Sequence, residues 1–379
     1  MPEKVTLIAT TAMGLESIAA TEVKNLGYDV QVENGKVIFQ APISAIPRVN
    51  LWLRSADRVK IQVGQFKATT FDELFESTKA LPWEYFISEE GAFPVTGKSH
   101  KSTLYSVSDC QAIVKKAIAE RLKLKYGVAF NMPETEGLYK TEVAIHKDIA
   151  SLTIDTSGDG LHKRGYRVGQ GEAPLKETLA ASLVMLTNWK PDYPLVDPFC
   201  GSGTILIEAA LIGQNIAPGF NRAFASEDWS LIKPKMWDDA FDEAEDLADY
   251  EQALDITGSD IDHNAIQIAT DNSREAGLGE LITWKQMQVQ DFVIRQDGGY
   301  IIGNPPYGER LGTIKKITPI YQALGKIIKE NPSWSVYILT AFKDFEKQVG
   351  KKPTKKRKLF NGFIRTDYYQ YFGKRFKQQ

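Results

Sequence analysis

The alternation of apolar strands with helices in the second half of the chain most constrains its fold. An apolar run at 195–197 ends in the motif D-P-F-C-G-S-G-T (197–204) and passes into a helix-like segment at 205–210. Glycines between a strand and a helix let the backbone approach a ligand closely. Such alternation predicts a parallel sheet with helices on both faces, and ligands bind beyond the carboxyl ends of its strands.

The chemistry of the glycine turn at 197–204 narrows its ligand. No Gly-Lys-Ser/Thr follows, so the turn is not a phosphate loop, and its spacing does not match G-x-G-x-x-G. The carboxylate of Asp197 ends the strand beside the turn. This combination favours a ligand that carries an ammonium group. A simple tight strand-to-helix turn is the alternative.

A second acid follows the next strand. The segment 255–262 is a short strand that ends at Asp260 and leads into a helix-like segment. A carboxylate at this position is the usual partner of ribose hydroxyls, although Asp is also a common helix N-cap. The acid usually follows the glycines by about 20 residues. In this chain Asp260 lies much further from the glycines, which predicts an insertion between them that includes the acidic run 238–249.

The loop Asn304-Pro305-Pro306-Tyr307 follows the apolar run 299–303. Two prolines fix φ and remove two backbone donors, and the first one holds Asn304 extended. The Asn304 oxygen and the Pro305 carbonyl can then accept both hydrogens of a planar amine while Tyr307 stacks on its ring. Accepting both hydrogens frees the nitrogen lone pair to attack an electrophile. A proline-rich turn without this chemistry is the alternative.

These motifs together resemble a known family. D-P-F-C-G-S-G-T (197–204), G-S-D-I-D (258–262) and N-P-P-Y-G-E-R (304–310) are similar to class I S-adenosylmethionine-dependent methyltransferases that modify exocyclic base amines. H-K-R-G-Y-R (162–167) and A-P-L-K-E-T-L-A-A (173–181) resemble the entry segment of one subgroup. That subgroup carries an RNA-binding THUMP domain and includes bacterial 23S rRNA guanine-N2 methyltransferases, often called N6-adenine-specific DNA methylases.

The domain organisation follows from pattern and resemblance together. Residues 1–65 alternate as strand, helix and two strands, a small α+β layer that resembles a ferredoxin-like domain. The resemblance implies a THUMP domain at 66–155 and an α/β, Rossmann-like class I methyltransferase domain at 161–379. Local patterns predict a single closing strand over 142–155, a linker at 156–160 and a C-terminal hairpin that turns at Asn361-Gly362.

The resemblance also implies the cofactor, S-adenosylmethionine, which leaves as S-adenosylhomocysteine. The cofactor residues that it implies are Asp197, Phe199, Gly201, Gly203, Thr204, Asp260, Ile261, Gln288, Asp291 and Asn304. Gln288 departs from the family, which usually has Asp there to accept from the adenine amine. Glutamine can also accept this hydrogen bond, so the sequence does not predict how the change affects cofactor affinity. Asp291 is a second candidate for the contact.

The charge distribution predicts where RNA binds. The net charge is only −2, but residues 351–379 hold ten Lys or Arg and one acid. A Gly-Lys-Ser loop at 97–99 that feeds a basic helix could also hold phosphates. The predicted RNA-binding residues are Lys98, His100, Lys101, Lys115, Lys116, Lys355, Lys356 and Arg357. A surface hairpin at 97–102 and a solvated basic loop at 355–358 are the alternatives.

Composition excludes several classes of protein. The chain has 379 residues, 43% of them hydrophobic, and no apolar run of 18 residues, so no membrane span is predicted. Its start does not resemble a signal peptide. Cys110 and Cys200 are far apart and no zinc-ligand spacing occurs. We therefore expect a cytoplasmic protein that binds RNA and uses neither a metal ion nor a membrane.

The predicted reaction is in-line methyl transfer from the sulfonium to an exocyclic amine, with Asn304, Pro305, Pro306 and Tyr307 as the catalytic residues. Guanine N2 in 23S rRNA is the first choice of substrate. A tRNA guanine-N2 methyltransferase and a DNA adenine-N6 methylase are alternatives, because both bases present a planar amine. A non-catalytic RNA-binding factor is a third, which the intact Asp197, Asp260 and Asn304 argue against.

Overall fold

The computed structural model describes residues 3–169, 175–307 and 314–374. The described chain forms two compact units that are not consecutive in sequence. Unit 1 contains the residues up to Thr11, Ala19–Leu161 and Arg222–Asp246. Unit 2 contains Ala12–Ile18, His162–Asn221 and the chain from Leu247 onward. The predicted insertion therefore contributes most of its length to unit 1.

Unit 1 is built on a mixed sheet with the strand order β2-β3-β1-β4-β9-β8-β6, in which only β6 and β8 are parallel neighbours. A separate parallel pair joins β5 and β7. The strands are β1 (Val5–Thr11), β2 (Val30–Glu33), β3 (Lys36–Ala41), β4 (Ala56–Lys67), β5 (Gly91–Ala92), β6 (Val95–His100), β7 (Glu136–Leu138), β8 (Thr141–His146) and β9 (Ile149–Asp155). β4 pairs with both β1 and β9, so the predicted boundary at residue 65 falls inside a strand of one continuous sheet.

Two of the helices of unit 1 have recognisable capping signals. The helices of this unit are α1 (Glu16–Asn25), α2 (Ala45–Trp52), α3 (Phe71–Ala80), α4 (Val107–Tyr126) and α7 (Pro234–Leu247). Thr70 accepts the backbone N–H of Glu73 at 3.1 Å, and Glu73 accepts that of Thr70 at 3.3 Å, which is a capping box. α4 ends at Gly127, whose φ of 72° suits glycine.

Two local predictions in unit 1 are wrong. Gly97-Lys98-Ser99 lies in β6 and is not a loop. A Cβ at Gly97 would come within 3.0 Å of Gln111 Cγ in α4, so the glycine allows close helix packing and does not make a turn. The predicted single strand over 142–155 is a hairpin of β8 and β9. Its turn uses Lys147 and Asp148 at φ of 50° and 62°, and Asp148 is the one of the two that is typical of turns.

The predicted linker at 156–160 begins in the interior of unit 1. Thr156 and Ser157 are fully buried. The Asn50 amide donates to Thr156 Oγ1 at 2.9 Å and accepts from Ser157 Oγ at 2.7 Å. Arg222, from the predicted insertion, donates to the Gly160 carbonyl at 2.6 Å. These hydrogen bonds make the stretch a packed part of unit 1.

Unit 2 contains the predicted parallel sheet, with the order β12-β11-β10-β13-β14-β16-β15. Its strands are β10 (Leu195–Asp197), β11 (Ile256–Asp260), β12 (Ile282–Gln286), β13 (Gly299–Gly303), β14 (Trp334–Thr340), β15 (Lys355–Asn361) and β16 (Ile364–Tyr371). The first five strands in this order are parallel, and β16 is antiparallel to both of its neighbours. The strand order reverses between β10 and β13, the position where open α/β sheets bind ligands.

Helices cover both faces of this sheet, as predicted. They are α5 (Glu177–Met185), α6 (Thr204–Gly213), α8 (His263–Glu275), α9 (Ile314–Glu330) and α10 (Phe345–Val349). Ile302 packs in one core cluster with Leu206 of α6, while its neighbour Ile301 packs in another with Leu324 of α9. Consecutive strand residues point to opposite faces, so the two clusters lie on the two sides of the sheet.

The predicted C-terminal hairpin is confirmed, with a one-residue shift of its loop. Asn361 is the last residue of β15 and pairs with Ile364. The loop therefore consists of Gly362 and Phe363, with Gly362 at φ 60°. A glycine at the first loop position is typical of a two-residue hairpin turn. No helix among the described residues is long and apolar enough to cross a membrane.

Candidate functional site

The glycine turn between β10 and α6 leaves open space above its backbone. Gly201 and Gly203 have φ of 52° and 82°, a region that other residues rarely adopt. A Cβ on Gly203 would lie 2.7 Å from the ring of Trp284, so packing also requires glycine there. A Cβ on Gly201 would meet nothing within 4 Å. A ligand can therefore approach the backbone at Gly201, while Gly203 and Thr204 start the helix.

Asp260 is held at the carboxyl end of β11 beside this turn. Its Oδ2 accepts the backbone N–H of Gly201 at 3.0 Å, and its Oδ1 accepts that of Asp262 at 3.0 Å. The N-cap of α8 is Asp262, which accepts from the N–H of Asn264 at 2.9 Å. The N-cap role considered for Asp260 thus belongs to Asp262. Ile261, between the two acids, is 67% exposed.

Asp197 lies at the end of β10 and is almost inaccessible to solvent. The pKa of its carboxyl is raised to about 8. Burial raises it most, the N–H of Phe199 lowers it, and the carboxylate of Asp260 adds a smaller increase. The Phe199 N–H donates to Asp197 Oδ1 at 2.9 Å. Burial also raises the pKa of the Cys200 thiol well above its usual value, so this thiol is not a nucleophile at neutral pH.

The loop after β13 begins beside the same residues. A Cβ on Gly303, the last residue of β13, would lie 3.1 Å from the Phe199 ring and 3.4 Å from Asp197 Oδ1. Asn304, half-buried, is the next residue along the chain. The turn at 197–204 and the loop at 304–307 therefore meet at the predicted edge of the sheet.

The Asn304 side chain is hydrogen-bonded within the loop. Tyr307 donates its hydroxyl to Asn304 Oδ1 at 2.7 Å. The Pro306 carbonyl accepts from the Tyr321 hydroxyl at 2.8 Å, and that hydroxyl also contacts Thr340 Oγ1 at 3.0 Å. The loop is thus fixed to α9 and β14. Gly308, Glu309 and Arg310 of the predicted motif lie outside the described residues.

Gln288 and Asp291 follow the end of β12. Gln288 precedes the short 3-10 helix Val289–Asp291, and its carbonyl accepts the N–H of Asp291 at 3.0 Å. Both side chains are exposed. Their contact with the cofactor stays a prediction, as do the roles of the other cofactor residues.

The entry segment at 162–169 supports the turn through side chains that sequence reasoning missed. Arg167 donates to Glu177 Oε1 at 2.7 Å and to Thr204 Oγ1 at 3.1 Å. Asn272 of α8 accepts from the Val168 N–H at 3.0 Å and donates to the Ser202 carbonyl at 3.0 Å. Arg167 belongs to a quoted motif, whereas nothing in the local sequence marks Asn272. Ala173 and Pro174 of the same entry region lie outside the described residues.

Beneath this segment lies a buried ion pair. Arg164 and Glu208 meet at 3.3 Å with side chains 2% and 0% exposed. The Tyr166 hydroxyl donates to Glu208 Oε1 at 3.0 Å. Burial lowers the pKa of the Arg164 guanidinium, but the charge and hydrogen bonding of Glu208, together with smaller contributions from Tyr166 and Glu177, raise it, and the net shift is upward. A cavity of about 420 Å³ lies next to the pair and is lined by Lys163, Arg167 and Lys176.

The predicted RNA-binding residues fall into two groups. In unit 1, Lys98, His100, Lys101 and Lys116 are exposed, and His100 stacks on His146 with ring centroids 5.5 Å apart. Lys115 donates to Glu134 Oε1 at 2.6 Å. In unit 2, Lys355 is exposed, Lys356 lies 3.4 Å from Glu346, and Arg357 donates to the Gly14 carbonyl at 2.7 Å. The Lys98 ammonium also lies 3.0 Å from Glu142 Oε1. Lys98, Lys115, Lys356 and Arg357 therefore already have structural partners.

The described ranges 3–169, 175–307 and 314–374 contain no group of three His, Cys, Asp or Glu side chains arranged to hold a metal ion. Cys110 and Cys200 are both buried and unpaired thiols.

Comparison with known proteins places this geometry in a family. The model of the RMKL-like methyltransferase domain matches residues 164–370, more than half of the chain. The chain belongs to the RMKL-like methyltransferase family. The RlmL ferredoxin-like domain matches residues 6–60, and the THUMP domain matches 68–155. The resemblance to THUMP-domain methyltransferases that the sequence motifs indicated is confirmed, and so is the fold class.

Relatives of this methyltransferase align along its whole length. It is 61% identical over 373 residues to the Bacillus subtilis protein named "Putative RNA methyltransferase YpsC", and the alignment covers 98% of this chain and 97% of YpsC. A crystal structure from Listeria monocytogenes, called a "predicted N6-adenine-specific DNA methylase", is 60% identical with a TM-score of 0.95 and covers 98% of this chain and 97% of its own. The crystal structure of SMU.472, "a putative methyltransferase complexed with SAH", is 46% identical with a TM-score of 0.95 over both full chains.

Proposed function

We propose that this methyltransferase transfers a methyl group from S-adenosylmethionine to an exocyclic base amine in RNA, and that the base is guanine, methylated at N2, in 23S rRNA. The observation that carries the proposal is the meeting of the Asn304–Tyr307 loop with the glycine turn at the end of β13. An acceptor for amine hydrogens thus lies beside a glycine turn whose backbone a ligand can approach. The name of YpsC supports RNA as the substrate.

The residues at the glycine turn fit S-adenosylmethionine. The open space above Gly201 admits a ligand against the backbone, and Asp260 is positioned where ribose hydroxyls bind in this fold. Asp197 is a buried carboxylate that a ligand ammonium group would neutralise. When bound, the cofactor supplies an electrophilic methyl group on a sulfonium. SMU.472, which binds SAH, is similar over its full length.

The loop residues orient the amine for attack. Asn304 Oδ1 and the Pro305 carbonyl accept the two amine hydrogens as positive charge develops on the nitrogen. In the structure the Tyr307 hydroxyl already donates to that oxygen. We infer that the incoming amine displaces this hydroxyl and that the Tyr307 ring then stacks on the base. The target base must leave its stack to reach the loop.

Unit 1 is proposed to hold the RNA. We propose a ferredoxin-like domain at 1–65, a THUMP domain at 66–155 and the methyltransferase domain at 161–379, with Lys98, His100, Lys101 and Lys116 exposed for phosphate contacts. Lys98 and Lys115 are weaker candidates, because they are paired with Glu142 and Glu134. Since rRNA is the proposed substrate, we place the protein in the cytoplasm.

Removing the Asp260 carboxylate should weaken cofactor binding. We expect Asp260→Ala to lose roughly 1–3 kcal/mol of binding free energy for S-adenosylhomocysteine, the range for a charged hydrogen bond. Isothermal titration calorimetry measures it. Asp262→Ala is the matched control, because it removes the N-cap of α8 two residues away and leaves the Asp260 carboxylate in place. Equal affinities of Asp260→Ala and wild type would exclude Asp260 as a cofactor ligand.

Cofactor binding should release a proton from Asp197. Its pKa of about 8 leaves the carboxyl mostly protonated at pH 7, and an ammonium group nearby favours the ionised form. Binding therefore releases up to about one proton below pH 8, and affinity rises as the pH approaches 8. Calorimetry at pH 7 in two buffers of different ionisation enthalpy counts the protons. Asp197→Asn is the control, because subtracting its proton release removes the contribution of the ligand's own titration. Equal proton release by wild type and Asp197→Asn would contradict the assignment.

The substrate is tested by mapping modified nucleosides. Mass spectrometry of rRNA and tRNA from a strain that lacks the gene should show the loss of one N2-methylguanine from 23S rRNA, restored by the wild-type gene. Loss of N2-methylguanine from tRNA instead would identify tRNA as the substrate. Loss of N6-methyladenine from DNA would replace the guanine assignment and retain the role of the Asn304 loop. If the methylation of rRNA, tRNA and DNA were all unchanged in this strain, the proposed function would be wrong.

A further inference from the structure

The tip of the β15–β16 hairpin exposes a large aromatic side chain. Phe363, the second loop residue, is fully exposed at 106% of its reference area. The rest of the hairpin packs normally, since Leu359 and Tyr368 are fully buried. A single exposed aromatic residue is not unusual by itself. Its position and its charged neighbours distinguish Phe363 from an ordinary exposed aromatic residue.

The hairpin tip lies against the loop that carries Asn304. Asn361, the residue just before the tip, places its Nδ2 at 3.5 Å from the Tyr307 hydroxyl. The same hydroxyl donates to Asn304 Oδ1. A chain of polar contacts therefore links the last paired residue of the hairpin to the proposed amine acceptor. The tip that carries Phe363 therefore lies beside the residues proposed to hold the target base.

The strand face next to the tip carries Lys358 and Arg365, together with one acid, Asp367, which is paired in register opposite Lys358. Lys358 and Arg365 are exposed and flank Phe360, with Arg365 paired in register opposite it. The Lys358 ammonium lies 5.4 Å from the centre of the Phe360 ring. Lys358 and Phe360 are two residues apart on β15, and residues two apart in a strand share a face. This face therefore combines cations for phosphates with an aromatic ring next to the tip.

We propose that the hairpin tip binds the RNA strand beside the target nucleotide. Phe363 stacks on a base adjacent to the one that leaves its stack, and Lys358 and Arg365 contact the flanking phosphates. A base that swings out exposes the face of its neighbour, which an aromatic side chain can cover. The tip thereby favours single-stranded or opened RNA over a closed helix. This inference rests on the proposed function.

The first test is steady-state methyl transfer to protein-free 23S rRNA with Phe363→Ala. We expect KM for RNA to rise about 10-fold, in keeping with one lost base–aromatic stack. Affinity for S-adenosylhomocysteine should not change. Phe363→Trp keeps a stacking ring and should retain a KM close to the wild-type value. An unchanged KM in Phe363→Ala would overturn the proposal.

Tyr250→Ala is the matched control. Tyr250 is 51% exposed, and its carbonyl accepts from Gln214 at the far end of α6 from the glycine turn. Removing this aromatic ring should leave KM for RNA unchanged. An equal rise in KM for Tyr250→Ala and Phe363→Ala would mean that exposed aromatics act without regard to position, which overturns the assignment to the tip.

The second test is the salt dependence of RNA affinity. For a single strand, Lys358→Ala and Arg365→Ala should each reduce the slope of log affinity against log salt by about 0.7, the contribution of one phosphate contact. Unchanged slopes in both variants would overturn the phosphate contacts. This binding assay also separates the two proposals. RNA affinity that depends on Phe363 with no methyl transfer by wild type would support the tip and reject the proposed activity.

Discussion

Asn304→Ala should lower methyl transfer at least about 100-fold while the variant still binds the cofactor. The side-chain oxygen at 304 accepts an amine hydrogen where charge develops, and loss of one such hydrogen bond typically costs this factor in kcat. Transfer of tritiated methyl to protein-free 23S rRNA measures the rate, and calorimetry measures affinity. Methyl transfer by Asn304→Ala at the wild-type rate would reduce the 304–307 loop to a structural turn.

Variants at Tyr307 and a second change at 304 refine this expectation. Asn304→Asp keeps an acceptor and should retain part of the activity. Tyr307→Phe removes the hydroxyl that donates to Asn304 and keeps the ring, so we expect a change below about tenfold, the size of one neutral hydrogen bond. Tyr307→Ala removes the stacking ring and should be severe. A severe loss of methyl transfer in Tyr307→Phe would show that the hydroxyl orients Asn304 and that stacking contributes less.

Arg164→Ala should lower the free energy of unfolding by about 3–5 kcal/mol, because it leaves the Glu208 carboxylate buried without its cation. Urea denaturation measures the loss, and hydrogen exchange of α6 locates it in unit 2. Arg274→Ala is the control: its ion pair with Asp271 spans 3.6 Å with side chains 69% and 44% exposed, and exposed pairs contribute less than about 1 kcal/mol.

A double substitution separates charge from packing at this pair. Arg164→Met with Glu208→Leu replaces both charges by apolar groups of similar size, which is often neutral or stabilising. We expect the double variant to recover part of the stability that Arg164→Ala loses. Equal losses for Arg164→Ala and Arg274→Ala would contradict a stabilising role for the buried pair.

The sequence predicted the sheet of unit 2 and the edge where the site lies. Both follow from local signals, since buried runs that end in Asp197, Asp260 and the Asn304 loop mark the carboxyl ends of parallel strands. The hydrogen bond between Tyr307 and Asn304 was not predicted. Sequence reasoning assigned the two side chains separate tasks and had no means to place one against the other.

Long-range packing accounts for the other differences. Gly97 suggested a loop, but its purpose is the close approach of α4 to β6. Asn272 lies inside a regular helix, and only the fold brings it to the Ser202 carbonyl. The assignment of 222–246 to unit 1 depends on contacts such as the stacking of Trp229 on Tyr139, with ring centroids 4.7 Å apart. No local pattern contains this information.

The interleaving of the two units has a consequence for biosynthesis. A ribosome releases residue 161 well before Trp229, so nascent unit 1 waits for a segment synthesised after the first strand of unit 2. Domains that are continuous in sequence can fold one after another as they emerge. Here the Tyr139 ring stays uncovered until its partner arrives. A fragment that stops at residue 161 would lack Trp229 and the rest of 222–246, so unit 1 cannot be isolated intact by truncation at that position.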